Sequence, residues 1–456
     1  MHAHTNRALP ATRQARASHE VFSPATSGLL VGLMIGSMLL PVFPEIGGLR
    51  FDPHRIFFLL TVIPFCLFVL SGRAGKVAAP DLLMSFVAFW MVLTYVYHHG
   101  MERFPYAVVV TSEMFGGYLA GRLLVRNAKD YRRFIGYLFL SLLIMLPFAV
   151  YELFTFRAPI PEFFGKFLPS QTKYTEARTA FHLSRVQVVF PHPILFGLYC
   201  SFILGNIYYI YNTGKFRRLV RVLVVVIISW MSLSSAAILS LGFQGIMIGW
   251  DIMTRGRWKM LCGIVAFIYI FLSIASNRGP VVLIIEYLTL NPTTAGWRVH
   301  IFNFGSISVW KHPIFGIGMN DWERPVWLAP TIDNFWLVLA MRHGLPLIIC
   351  FFLAIGIHIA KIIRIKDLNA DLSAIRTGYM VSLVGLILSL ATVHVWNALA
   401  ALVPFYIGAG VFLYTSGKDT AGTGEADTPL LAADAVPVAL PRTPYTRFPK
   451  TVGRKG

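Results

Sequence analysis

The chain has 456 residues, 56% of them apolar and only 13% charged, against roughly 25% charged in an average soluble domain, which excludes an ordinary soluble enzyme. The formal charge of +19 is carried by short basic groups between apolar runs, the pattern that orients membrane proteins, so nucleic acid is not an expected partner. Cys66, Cys200, Cys262 and Cys350 all lie inside apolar runs without a C-x-x-C spacing, which points to neither a disulfide framework nor a zinc site.

A hydrocarbon core about 30 Å thick needs about 20 helical residues. Following a polar N-terminal arm, runs at 26–43, 56–72, 80–97, 106–124 and 134–156 predict five spans. The stretch 157–191 has mixed charge and several prolines, and is too long for a turn; it reads as a first large loop. A sixth span is predicted at 193–211. The next run, 219–250, would measure about 48 Å as one helix, too long for one crossing, and Ser232, Ser234 and Ser235 mark a hairpin bend within it. The run 258–276 is the ninth span. A second large loop covers 277–331, and runs at 345–363, 375–393 and 398–415 complete twelve.

The expected fold is therefore all-α, a polytopic transmembrane helical bundle of about twelve spans. Its segments are a cytoplasmic arm (1–25), spans one to five (26–156), the first large outer loop (157–191), spans six to nine (192–276), the second (277–331), an interfacial helix with spans ten to twelve (332–415), and an Ala-, Pro- and Thr-rich tail (416–456) of disordered composition. Of the 40 lysines and arginines, 27 fall in the arm, the tail and the short connections of one side, and 13 mostly in the two long loops of the other. The dense side is expected to be cytoplasmic, with both termini inside. The first run lacks a small-residue cleavage site and reads as an uncleaved anchor. No inverted repeat of the transporter kind and no 20–50-residue period is visible.

Polar residues inside a membrane and loops too long to be connectors are where chemistry is expected. The two long loops carry Arg157, Lys166, Lys173, Arg178, Arg185, Arg278, Arg298, Lys311 and Arg324, a set suited to an anionic ligand, although long loops escape the positive-inside bias and each residue alone also fits solvated surface. Glu113 lies seven residues inside its run, about 10 Å deep, where an ionised group needs a partner or a function; an ion pair with a loop arginine and acceptor binding both fit. Gly116, Gly117 and Gly121 nearby suggest close helix packing. His98 and His99 are adjacent and point to different helix faces. His192 and His312 each precede proline and fit loop shaping. His343 is ten residues from Asp333, about 15 Å if helical, which argues against a direct dyad.

The strongest pattern runs from Gly296-Trp297-Arg298-Val299-His300 through His312-Pro313-Ile314-Phe315-Gly316-Ile317-Gly318 to Asp333-Asn334-Phe335-Trp336 and Arg342-His343-Gly344-Leu345. In this order the chain resembles the O-antigen ligase and polymerase superfamily, membrane proteins that handle polyprenyl-diphosphate-linked glycans. Arg185 with Phe190-Pro191-His192-Pro193-Ile194-Leu195-Phe196-Gly197 is similar to a segment of exopolysaccharide-polymerase-like members, and Ser232-Leu233-Ser234-Ser235-Ala236 to the family's hairpin bend. The likeness covers about 113–415. Many ligase members carry histidine where this chain has Asp333, which leans toward the polymerase-like branch and leaves polymerase and ligase both open.

A glycan on a lipid diphosphate already carries a good leaving group, so its transfer needs a neutraliser for the departing diphosphate and a base for the attacking hydroxyl. Arginine forks onto phosphate oxygens and is permanently charged. The expected catalytic residues are Arg298 and Asp333, with Arg185, His192, His312, Glu113 and His343 as substrate-binding candidates; Asp333 also fits a helix N-cap. No D-x-D appears, and neither metal nor cofactor is expected, in line with the class C glycosyltransferase-like fold that the resemblance implies. Expected partners are a polyprenyl-diphosphate-linked oligosaccharide, a glycan or lipid-linked acceptor, membrane lipids and polysaccharide-export proteins, at the bacterial inner membrane. The rival expectations are a transporter or flippase for the same lipid, and a noncatalytic member of an export complex.

Overall fold

The computed structural model describes residues 21–173, 177–178, 182–211, 214–277, 280, 282–283, 292–366 and 368–415. The N-terminal arm to residue 20, the tail from 416, Arg278 and the side chain of Arg178 lie outside the described residues.

The described chain is mostly helical, with almost no strand. In order it forms α1 (Pro24–Met38), the short hairpin β1–β2 (Glu45–Ile46 with Leu49–Arg50), α2 (Pro53–Leu70), α3 (Ala79–His99), α4 (Phe104–Leu124), α5 (Ala128–Thr155) and α6 (Pro159–Phe164). A second hairpin, β3–β4 (Ala177–Arg178 with Leu183–Ser184), leads to α7 (Pro193–Ser201), α8 (Leu204–Ile210), α9 (Lys215–Trp230), α10 (Ser235–Thr254) and α11 (Trp258–Ala275). The rest comprises α12 (Pro292–Lys311), α13 (Phe335–Ile363), α14 (Ala370–Leu390), α15 (Ala398–Ala409) and α16 (Phe412–Thr415). Asparagine caps set several of the starts: the side chains of Asn127, Asn334 and Asn369 accept from the backbone N–H groups of Asp130, Leu337 and Leu372, each satisfying an orphan donor of the first turn.

Among the described residues nine helical segments are long and apolar enough to cross a membrane, with α7–α8 (Pro193–Ile210) and α15–α16 (Ala398–Thr415) each running on as one. Three of the expected runs form helices outside that set, for identifiable reasons. α1 is 15 residues long. α9 has 16 residues and opens with Lys215, Arg217 and Arg218. α4 has 21 residues but buries Glu113, Arg122 and three glycines. Between α9 and α10 the chain turns at 231–234, with Leu233 at φ 45°.

α4 sits at the centre, against α2, α3 and α15. Gly117 and Gly121 face the α15 backbone so closely that a Cβ at either would overlap the carbonyls of Ala401 and Phe405, the close approach that small residues allow between membrane helices.

The second long loop is not irregular throughout. It contains the 20-residue helix α12, whose buried face (Arg298, Ile301, Gly305, Ser308, Val309) packs on α13. α13 is itself interrupted at Gly344, where φ is 78° and ψ 179°. Pro346 has no N–H to donate to the Arg342 carbonyl, and the kink also takes the Leu345 N–H away from Met341. The segment 313–318 repairs both losses. Ile317 N–H donates to the Met341 carbonyl at 2.8 Å, Gly318 N–H to the Arg342 carbonyl at 3.0 Å, and Leu345 N–H to the Pro313 carbonyl at 2.7 Å. A Cβ at Gly344 would overlap the Ile314 carbonyl, and its backbone conformation is one that essentially only glycine adopts. Gly344→Ala should therefore lower stability by about 1–3 kcal/mol or more, read as a reduced thermal unfolding midpoint in detergent; an unchanged midpoint would contradict this account of the kink.

Candidate functional site

The α12–α13 contact brings the two expected catalytic residues to one place. Arg298, on the buried face of α12, and Asp333, just before α13, line one small cleft with Ile301, Phe302, Asn334 and Thr392. They are 35 positions apart in the chain. Arg298 is 8% exposed and Asp333 half-buried. Burial pushes the Asp333 carboxyl above the ordinary carboxylate range, and the Arg298 charge pulls it partly back. Burial likewise lowers the Arg298 guanidinium, against the opposing pull of Asp333. Each group is thus partly held in its charged form by the other.

The cap expected at Asp333 is made by its neighbour. Asn334 Oδ1 accepts from the Leu337 N–H at 3.0 Å, so the start of α13 does not need the Asp333 carboxylate. Asparagine is an acceptor that cannot take up a proton, and aspartate is one that can; the two adjacent positions divide a structural and a chemical capacity between them.

The first long loop is anchored on α5 and on the α9–α10 turn. Glu152, near the end of α5 and fully buried, accepts from the N–H groups of Gln187 and Val188 at 2.9 Å each and pairs with Lys173, whose Nζ also donates to the Arg185 carbonyl at 2.7 Å. Val186 N–H donates to Met231 in the α9–α10 turn. The buried Arg185 is therefore carried on a clamped segment. His192 caps α7, its Nδ1 accepting from the Ile194 N–H at 3.1 Å, and its ring lies 6.0 Å from Trp396. Trp396 belongs to the connection 391–397 between α14 and α15, which also supplies Thr392 to the Arg298–Asp333 cleft. Neither Arg185 nor His192 lines the cleft itself; His192 meets, through Trp396, the connection that contributes to it.

The other candidates lie elsewhere. His343 is 1% exposed and held by α3: Thr94 Oγ1 is 2.6 Å from its Nδ1, and Trp90 Nε1 donates to its carbonyl at 2.9 Å. Glu113 accepts from Arg55 Nε at 2.7 Å and is 2.9 Å from His54 Nε2, an ion-paired cluster at the start of α2 that Asp52 and Arg50 extend. Neither lines the cleft. His312 is exposed at the far end of α12, on a second and larger cavity. His98 and His99 hold the glycine segment from the side: His98 Nε2 is 3.2 Å from the Phe315 carbonyl, and His99 Nε2 accepts from the Met319 N–H at 2.8 Å.

Two residues near the site, Glu152 and His394, escape sequence reasoning, and Arg342 enters it only as part of a motif. Glu152 carries the signal that singled out Glu113, an acid within an apolar run. Arg342 belongs to the glycine motif, and its charge acts on the buried His394. His394, in the 391–397 connection, packs on Phe335 and Trp396 with centroids 6.2 and 5.9 Å away. Its Nδ1 is buried without a hydrogen-bond partner, and burial together with the Arg342 charge pushes its pKa down to about 4, so the ring is neutral at physiological pH. Among the described residues no group of His, Cys, Asp and Glu side chains is placed to hold a metal ion.

No protein-family model matches the chain, and comparison with curated proteins gives no match.

Proposed function

We propose that the chain is a multi-pass membrane glycosyltransferase of the polysaccharide-polymerase or O-antigen-ligase type, which moves an oligosaccharide from a polyprenyl diphosphate to a glycan hydroxyl on the periplasmic face of the inner membrane. The observation that carries this reading is the shared cleft of Arg298 and Asp333. The order of sequence motifs, with its resemblance to that superfamily, supports it.

In the proposed reaction the acceptor oxygen attacks the anomeric carbon while the bond from that carbon to the phosphate oxygen breaks, and the electron pair leaves with the diphosphate. Arg298 neutralises the departing charge, with Arg185 assisting, and Asp333 takes the hydroxyl proton. The influence of each charge on the other has a consequence for timing. Before the lipid binds, the Arg298 charge holds Asp333 toward its ionised form; once the diphosphate engages Arg298, that pull is shared and the carboxylate becomes the stronger base.

The proposed topology has twelve spans, both termini in the cytoplasm and the loops of 157–191 and 277–331 outside, supported by the division of basic residues. The face of α12 opposite Arg298 exposes Trp297, Ile307 and Trp310, aromatic and apolar groups that suit the headgroup level of a bilayer and would put Arg298 at the depth of a lipid diphosphate. Single cysteines introduced at 160–170 or 320–330 should react with an impermeant thiol reagent applied from outside, and cysteines at 361–376 should not; the reverse pattern would move the cleft to the cytoplasm and overturn the reading. Cells lacking the chain should accumulate lipid-diphosphate oligosaccharide accessible from outside. Accumulation confined to the inner leaflet would instead identify a flippase.

A further inference from the structure

At the opposite end of α12 from Arg298 lies a cavity of about 260 Å³, lined by residues that include Ser308, His312, Asn320, Asp321, Trp322 and Glu323. We propose that this cavity is a subsite for uncharged sugar residues of the glycan, separate from the cleft that takes the diphosphate; the inference rests on the transferase reading above.

The lining has the chemistry of a polyol site. Asn320 and His312 each offer a donor and an acceptor in a planar group, Ser308 a hydroxyl, Asp321 and Glu323 acceptors, and the largely buried Trp322 an apolar patch of wall. Its charge excludes the alternative of a second phosphate site. Glu323 pairs with Lys311, and Asp321 with Arg324 at 2.5 Å; each partner holds its carboxylate below the ordinary range. The cations are balanced one for one by carboxylates that stay ionised, so the cavity presents no excess positive charge to an anion.

The walls are also fixed in advance. Trp322 is buried, with its Nε1 donating to the Pro330 carbonyl at 3.1 Å, and the glycine segment that forms one side is bonded to the α13 kink and packed by Trp90 and Tyr97 against Phe315. A preformed site spends little of its binding energy on ordering. Arg298 and Lys311 are thirteen residues apart on one helix, which sets the two cavities about 20 Å apart, a span for several sugars of an extended chain. The glycan would thus lie along the α12–α13 pair with its diphosphate end at Arg298.

The test is a binding comparison on the purified full-length protein in nanodiscs, with two probes: the lipid-diphosphate oligosaccharide extracted from cells lacking the chain, and bare polyprenyl diphosphate. Asn320→Ala and His312→Ala should each weaken the glycan-bearing probe by about three- to tenfold, the scale of one or two lost neutral hydrogen bonds, while leaving the bare lipid diphosphate within twofold; Arg298→Ala should weaken both. Retained affinity for the bare lipid reports that a variant is folded, and His312, being exposed, is the variant least able to disturb the fold. Variants that bind both probes as the wild type does would overturn the subsite and leave the cleft standing. Equal loss of both probes would assign these residues to the diphosphate and overturn it too. A wild type that binds neither probe would remove the transferase reading and the subsite with it.

Discussion

Asp333→Asn should express and fold as the wild type does while losing glycan transfer. The substitution preserves shape and acceptor capacity, and the cap of α13 is supplied by Asn334, so the start of that helix does not depend on the Asp333 charge. What it removes is the ability to take up a proton. General-base catalysis typically contributes 10²- to 10⁴-fold, and a turnover loss in that range, with an unfolding midpoint unchanged, is the expected result. The pH profile gives an independent reading. A base works only when ionised, so transfer should rise with pH through the pKa of Asp333, and because burial raises that value, the limb should lie above the ordinary aspartate value of about 3.9. The limb should vanish in Asp333→Asn, whereas Asp333→His should retain part of the activity. A folded Asp333→Asn protein with normal turnover would eliminate the base.

The second large effect is expected at Arg298. If its guanidinium balances charge that develops on the leaving diphosphate, Arg298→Ala should cost about 3 kcal/mol in the transition state, by analogy with the loss of one oxyanion donor, a fall of roughly a hundredfold in turnover. Lysine should recover only part, because it keeps the charge and loses the fork. The residual activity of Arg298→Lys should show the Asp333 limb close to its wild-type position, and that of Arg298→Ala should show it displaced upward, since the charge that pulls the Asp333 pKa down is gone. A shift in the opposite direction would mean that the two residues do not share a field.

Much of this architecture is legible in the sequence because it depends on local signals. Apolar runs of membrane length become helices, Ser232–Ser235 falls at the α9–α10 turn, and the glycines of 316–318 and 344 announce a backbone contact without showing its partner. The partner is what a one-dimensional pattern omits: Ile317 and Gly318 donate to the carbonyls that Gly344 and Pro346 leave open, and Gly316 lets the two backbones approach, a relation that emerges only when α13 kinks. The helix within the second long loop was hidden because α12 mixes Arg298, His300 and Asn303 with tryptophans and has no clean apolar stripe. Glu152 and Lys173 meet across 21 positions to fix the backbone around Arg185, and His394 reaches the cleft region through a seven-residue connection that contains no motif. Conversely, Glu113 and His343, singled out for depth and for proximity in sequence, are each absorbed by helix neighbours, Arg55 and His54 in one case and Thr94 in the other.

The central claim is a chemical transfer that releases polyprenyl diphosphate. The most direct measurement incubates the purified wild-type protein in liposomes with the lipid-diphosphate oligosaccharide and follows both products over time. The account predicts longer glycan chains, or glycan moved to an added acceptor, with one polyprenyl diphosphate released for each bond formed. Oligosaccharide that stays on its lipid, whether or not it changes leaflet, would contradict it.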